Sequence, residues 1–132
     1  MKHVTQKNEF DYSICCLAMM LGQSYYEILN FFGGEIVDGL INSEIIDCAA
    51  NFGVKLKLTK AVPIGRAIIV VPSLKNSERT HAVYYDGKSV HDPTESVDRY
   101  IWRTAKKAMK FALEERELNE EDELTLRRSE EI

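Results

Sequence analysis

From Asp11 onward, apolar residues recur three and four positions apart. Ile14, Leu17, Ala18 and Leu21 fall on one face, which predicts a helix that starts at Asp11-Tyr12-Ser13 and is stopped by Gly22. A second helix opens on Ser24 and Glu27, where the hydroxyl and the carboxylate can satisfy each other's free amides. It runs through Ile28, Leu29 and Phe32 to Gly33 and Gly34. A third begins near Asn42-Ser43-Glu44, carries Ile45, Ile46, Ala49 and Ala50, and meets a left-handed cap at Gly53.

After Gly53 the period changes. Val54 to Thr59 alternates apolar with charged residues, the pattern of a half-buried strand. Ala67 to Val71 is unbroken and apolar, which predicts a strand buried on both faces and ended by Pro72. Two further strand-like runs, His81 to Tyr85 and Lys88 to Asp92, flank Asp86-Gly87, a two-residue hairpin signal, and Pro93 ends the second arm. Beyond Ser96 the helical period returns, with Val97, Ile101, Ala105 and Ala108 on one side and Arg103, Lys106, Lys107 and Lys110 on the other. This predicts a long amphipathic helix that continues into an acidic tail. The expected class is α+β, with N-terminal helices packed on a small antiparallel sheet, a core over 1–96, and a helix and tail over 97–132.

The chain's 132 residues suit one domain that folds without disulfide or metal staples. The net charge of −4 is uneven: nine acidic and three basic residues between Glu114 and Glu131 leave the remainder near +2, too weak a basic footprint for a nucleic-acid surface. Cys15, Cys16 and Cys48 are odd in number and two are adjacent, so they write no disulfide framework and are expected to be reduced. Together with His3, His81 and His91 they show no zinc-ligand spacing, and neither a metal nor a cofactor is expected. No apolar run reaches the roughly 18 residues of a membrane span, and Met1 to Gln6 lacks a signal core, so the expected location is the cytoplasm.

The hairpin makes a chemical suggestion. A two-residue loop at Asp86-Gly87 would set Tyr85 opposite Lys88 and, four steps on, His81 opposite Asp92. Directly opposed residues have Cβ atoms about 4.5 to 5.5 Å apart. That separation lets a carboxylate hold an imidazole by one nitrogen and set its tautomer for proton transfer. A surface His/Asp pair on a hairpin is the plainer reading of these two residues alone, and a three-residue loop would break the register.

The N-terminal segment adds to this. The run Gln6-Lys-Asn-Glu-Phe-Asp11-Tyr12-Ser13-Ile14-Cys15-Cys16-Leu17-Ala18-Met19 resembles the Gln-x-x-x-x-Asp-Cys-Gly-x-x-Cys-Leu-Ala-Met pattern of the bacteriocin-processing, leader-cleaving cysteine peptidases. His81-Ala-Val-x-Tyr-Asp-Gly followed by Val90-x-Asp-Pro is similar to that family's second catalytic segment, and the likeness spans about residues 4 to 95. The resemblance implies a papain-like fold with Gln6 as oxyanion donor, Tyr12 at the nucleophile position, His81 as general base and Asp92 as its orienter. It further implies a peptide or protein partner. Tyr12 departs from the pattern, because a phenol with a pKa near 10 is a poor nucleophile at neutral pH and is bulkier than a thiol. Ser13 adds bulk where the family has glycine.

Peptidase-like domains of some secretion ABC transporters similarly carry tyrosine there and are non-cleaving docking modules for unfolded cargo. The resemblance therefore implies an inactive peptidase-like module of a bacterium or phage that binds a peptide. An accessory role in a larger assembly or virion, through the C-terminal helix and tail, is compatible with it. The alternative is an active peptidase that uses Cys15 or Cys16, about 5 Å deeper along the helix, with His81 and Asp92. His91 reads as a solvated strand histidine, Cys48 as core, and Trp102 either as an anchor for its helix or as a partner face.

Overall fold

The structure is a computed structural model that describes residues 1–35 and 38–116. Three helices come first: α1 (Tyr12–Leu21), α2 (Tyr25–Phe31) and α3 (Asn42–Asn51). Strands β1 (Leu56–Thr59), β2 (Ala67–Pro72), β3 (Thr80–Tyr85) and β4 (Val90–His91) follow, then α4 (Trp102–Ala108) and β5 (Phe111–Glu115). The helix ends obey the expected chemistry. Gly22 closes α1 at φ 65° with its amide on the Ala18 carbonyl, and the Ser24 hydroxyl accepts from the Glu27 amide at 3.1 Å. Gly53 follows α3 at φ 86°, a value that favours glycine.

All strands pair antiparallel in the order β1-β5-β2-β3-β4. Helices α1 to α3 pack on one face through Ile14, Leu17, Ile28, Ile45 and Cys48, in one cluster with Ile68, Ala82, Tyr84 and Leu113. Tyr100 and Ala105, with Trp102 and Ala108 beside them, pack on the other face against Ile69, Val71, Val83 and Ala112. Both faces of β2 are therefore covered, which explains its unbroken apolar run. Trp102 proves to be an anchor: its ring stacks on Tyr85 at 4.0 Å and 5°.

The hairpin differs from its expected form. Tyr84 pairs with His91 and Tyr85 with Val90, so four residues rather than two connect the arms, and the register is displaced by two. A two-residue type I′ turn would need positive φ at Asp86 as well as Gly87, and only the glycine has it, at 99°. Asp86 is instead held by its side chain, which accepts from the amides of Lys88 and Ser89 at 2.8 Å each.

The long C-terminal helix is also corrected. It ends at Ala108, and Phe111–Glu115 forms a strand inserted between β1 and β2. Helical periodicity continues on paper through Ala108 to Leu113, but tertiary pairing overrides it: the Lys110 amide already donates to the Val70 carbonyl at 2.8 Å. Glu114, which the sequence places at the start of the acidic tail, is 5% exposed, with its carboxylate on the amides of Ile64 and Gly65 at 2.7 and 3.0 Å. The sheet and core thus extend to Glu115, past the expected core limit at residue 96. The rest of the expected acidic tail, residues 117–132, lies outside the described residues. None of the helices among the described residues is long and apolar enough to cross a membrane.

Candidate functional site

The segment before α1 is fixed at two points. The Gln6 amide donates to the Pro93 carbonyl at 2.7 Å, which lays residues 6–8 beside the chain leaving β4. Asp11, wholly buried, accepts from the Lys7 amide at 2.8 Å, the Asn8 amide at 3.4 Å and the Tyr25 hydroxyl at 2.8 Å. Although it stands at the N-cap of α1, its side chain makes no capping bond to the helix.

His81, at the start of β3, and Asp92, just past β4, meet as the sequence anticipates, though not by direct cross-strand opposition. His81 Nε2 and Asp92 Oδ1 are 2.7 Å apart. Asp92 reaches the ring because the chain turns away after His91, held by its own carboxylate: Oδ1 also accepts from the Thr94 amide at 3.0 Å, and Oδ2 from the Tyr100 amide at 2.9 Å. Burial by itself would push this carboxyl up. The bond to His81, its charge and the two amides outweigh burial and hold the carboxyl below the usual range.

Tyr12 opens α1 with its ring edge-on to His81, centroids 5.6 Å apart. Burial, and then the neighbouring Cys16, push its phenol above the ordinary value, further from phenolate. Its hydroxyl lies over Gly39, where a Cβ would stand 2.7 Å from the oxygen. Gly39→Ala is therefore expected to cost about 2 kcal/mol, and Tyr12→Phe, which removes the clashing oxygen, to restore most of it. Equal costs in the two backgrounds on urea denaturation would show that the contact is not what holds residue 39 to glycine.

Gln6, His81 and Asp92 line a cleft of about 480 Å³ between residues 6–9, 73–80 and 92–98. The Gln6 side chain donates to the Asn8 carbonyl at 3.1 Å rather than toward Tyr12. The structure thus joins His81 to Asp92 by a hydrogen bond and to Tyr12 by a ring contact, and sets Gln6 in the wall of the cleft that His81 and Asp92 also line. Cys15 and Cys16 point into the core, both 0% exposed. Burial pushes both thiols well up, helped at Cys15 by Asp11 and at Cys16 by Cys15 and Asp92. Cys48 is core too, pushed up to about 11 by burial. His91 is half-buried on Asp86 at 2.8 Å and against Tyr84, not solvated as expected.

Sequence reasoning missed Tyr100, whose ring stacks beside His81 at 6.5 Å and whose hydroxyl donates to the Pro72 carbonyl at 2.5 Å. No local pattern marked it, since its partners lie on three other segments. Among the described residues no group of His, Cys, Asp and Glu side chains is placed to hold a metal.

No protein-family model matches the chain, and no curated protein matches it in sequence. Eight solved chains match it in structure. One is a double glycine motif protease from an AMS/PCAT transporter, solved in complex with the leader peptide; the TM-score is 0.63 at 19% identity, covering 86% of this chain and 89% of that one. The chain has the fold of that peptidase domain, helices on an antiparallel sheet, with the His81–Asp92 pair and Tyr12 meeting beside the cleft.

Proposed function

We propose that this protein is a non-cleaving peptidase-like module that binds a peptide in the cleft beside His81. The observation that carries this reading is the ring of Tyr12 at the first position of α1, edge-on to an imidazole already oriented by Asp92. In a papain-like site that position holds a thiol, made reactive by the helix N-terminus and a neighbouring histidine. A phenol pushed above its ordinary value supplies no nucleophile there at neutral pH. The neighbouring thiols of Cys15 and Cys16 have no exposed surface and are disfavoured as thiolates, which supports inactivity over their use. Gln6 is the oxyanion-donor candidate, with its carboxamide turned onto Asn8. The solved neighbour is a protease bound to its leader peptide, which supports a peptide as ligand here. An assembly role through a long C-terminal helix has no such helix to rest on among the described residues.

The test is hydrolysis of a double-glycine peptide by the wild type and by Tyr12→Cys. The wild type is expected to show no thiol-dependent turnover, and the variant to gain cleavage that is lost again on adding His81→Ala. Turnover by the wild type that disappears in Cys16→Ser or Cys15→Ser would sink the proposal.

A further inference from the structure

The side chains that line the cleft decide what kind of ligand it can reward. Among the described residues Leu74 is the one apolar residue in the lining; the others are amides, hydroxyls, the imidazole of His81 and charged groups. The other large apolar side chains that reach solvent, Tyr26, Ile41, Ile64 and Val97 among them, stand elsewhere on the surface. An apolar ligand segment laid in the cleft would therefore find little apolar surface to share, and its burial would gain little.

The charges in the lining differ in what they are already bound to. Asp92 accepts from His81 and from the amides of Thr94 and Tyr100. Glu9 and Arg79 pair with each other at 2.5 Å, and the Lys7 ammonium lies over the rings of Tyr25 and Tyr26, 5.3 and 5.5 Å from their centroids. Three exposed groups are left: the ammonium of Lys75 and the carboxylates of Glu95 and Asp98, whose side chains make no hydrogen bond or ion pair among the described residues. Lys75 stands on the connection from β2 to β3, and Glu95 and Asp98 on the chain that leaves β4. With both strand pairs antiparallel, these segments meet the sheet at the end where β3 begins, so both signs of charge lie at the approach to His81. They line one cleft without neutralising each other.

We propose that the cleft selects a polar peptide segment with charges of both signs close together, an acidic side chain on Lys75 and a basic one on Glu95 and Asp98. The proposal rests on the peptide-binding reading above and narrows it from any peptide to an amphoteric one. A segment of one sign satisfies one partner and is opposed by the other, and an uncharged segment gains neither contact. Because the three groups are exposed, the selection is screened by salt.

The experiment uses the full chain, labelled with nitrogen-15, and four random hexapeptide pools capped at both ends. One pool mixes Glu and Lys with Ser and Gly, one has Glu without Lys, one Lys without Glu, and one Ala and Val. Shifts of the amides of Gln6, His81 and Thr94 are followed as each pool is added. The mixed pool is expected to bind about fivefold more tightly than the apolar pool, since each exposed ion pair is worth about a factor of two. The advantage should shrink in about 0.5 M salt. Lys75→Glu is expected to move the preference to the Lys pool, and Glu95→Lys with Asp98→Lys to the Glu pool. These reversals break no side-chain bond among the described residues, and unmoved amides in β2 would report an intact fold. An apolar or single-sign pool that binds the wild type as tightly as the mixed pool would overturn the amphoteric proposal while leaving peptide binding intact. A ranking unmoved by the reversals would overturn it too. Silence of these amides with all four pools would overturn it together with the peptide-binding reading.

Discussion

Asp92→Ala is expected to cost about 4 kcal/mol of folding stability, a loss visible as a lower urea midpoint at unchanged slope. The carboxylate is 4% exposed and satisfies three donors from three places: the imidazole of β3, its own turn at Thr94, and Tyr100 at the approach to α4. Each bond to a charged acceptor contributes about 1.5 to 3 kcal/mol, and the three are not additive because they share one group. Alanine leaves all three donors unpaired in a poorly hydrated corner. The same residue predicts an acid limb. Its carboxyl is held below the usual range in the folded chain, so its contribution is complete above the unfolded value near 4 and is lost as pH falls through the lower folded value. The wild type should therefore lose more stability as pH falls below about 4 than Asp92→Ala does. Parallel losses in the two proteins would remove Asp92 from the account.

The same residue shows what the sequence can and cannot convey. That His81 and Asp92 meet was legible from two strand-like runs around Asp86-Gly87, yet the register behind that expectation is displaced by two. The contact survives because Asp92 does not depend on the ladder. It sits past the last pairing, where an Asx-type turn onto Thr94 and the amide of Tyr100 aim it. The Thr94 bond was readable in principle from Asp92-Pro93-Thr94, a turn sequence. The Tyr100 bond was not, since it closes eight residues away on a segment with no periodic pattern.

The fold divides along a similar line. Helices α1 to α3 are specified locally, by apolar spacing and by Gly22, Ser24 and Gly53 at their ends, and they stand where those signals place them. Strand β5 is specified from elsewhere. Phe111-Ala-Leu is a short apolar run that fits the tail of a helix as well as a strand. The choice is made by the vacant edges of β1 and β2, which Phe111–Glu115 fills together, and by buried Glu114 taking the amides of Ile64 and Gly65. A charge that the sequence places in an acidic tail is here a structural acceptor. Likewise the clearance for Tyr12 comes from Gly39, a residue of the α2–α3 connector that no reading of the N-terminal motif alone would select.

Asp11→Ala is expected to cost as much as Asp92→Ala, about 4 kcal/mol, for a reason its position at a helix start would hide. If Asp11 served as an ordinary N-cap, serine or asparagine would replace it at a cost of a few tenths of a kcal/mol, and Tyr25→Phe would act independently. The structure gives the carboxylate a different task. It is wholly buried, bonds nothing in α1, and gathers the Lys7 amide, the Asn8 amide and the Tyr25 hydroxyl, joining the N-terminal segment to α2. Asp11→Ser should therefore be nearly as damaging as alanine. Tyr25→Phe alone should cost about 1 to 2 kcal/mol and much less once Asp11 is gone, a coupling that a double-mutant cycle measures directly. Because the segment tied down by Asp11 also carries Gln6 to the Pro93 carbonyl, the Gln6 amide should exchange its hydrogen faster in Asp11→Ala than amides of β2 do. Additive costs for Asp11→Ala and Tyr25→Phe, with Gln6 protected as before, would return Asp11 to the role of a helix cap and leave the placement of Gln6 in the cleft wall without its cause.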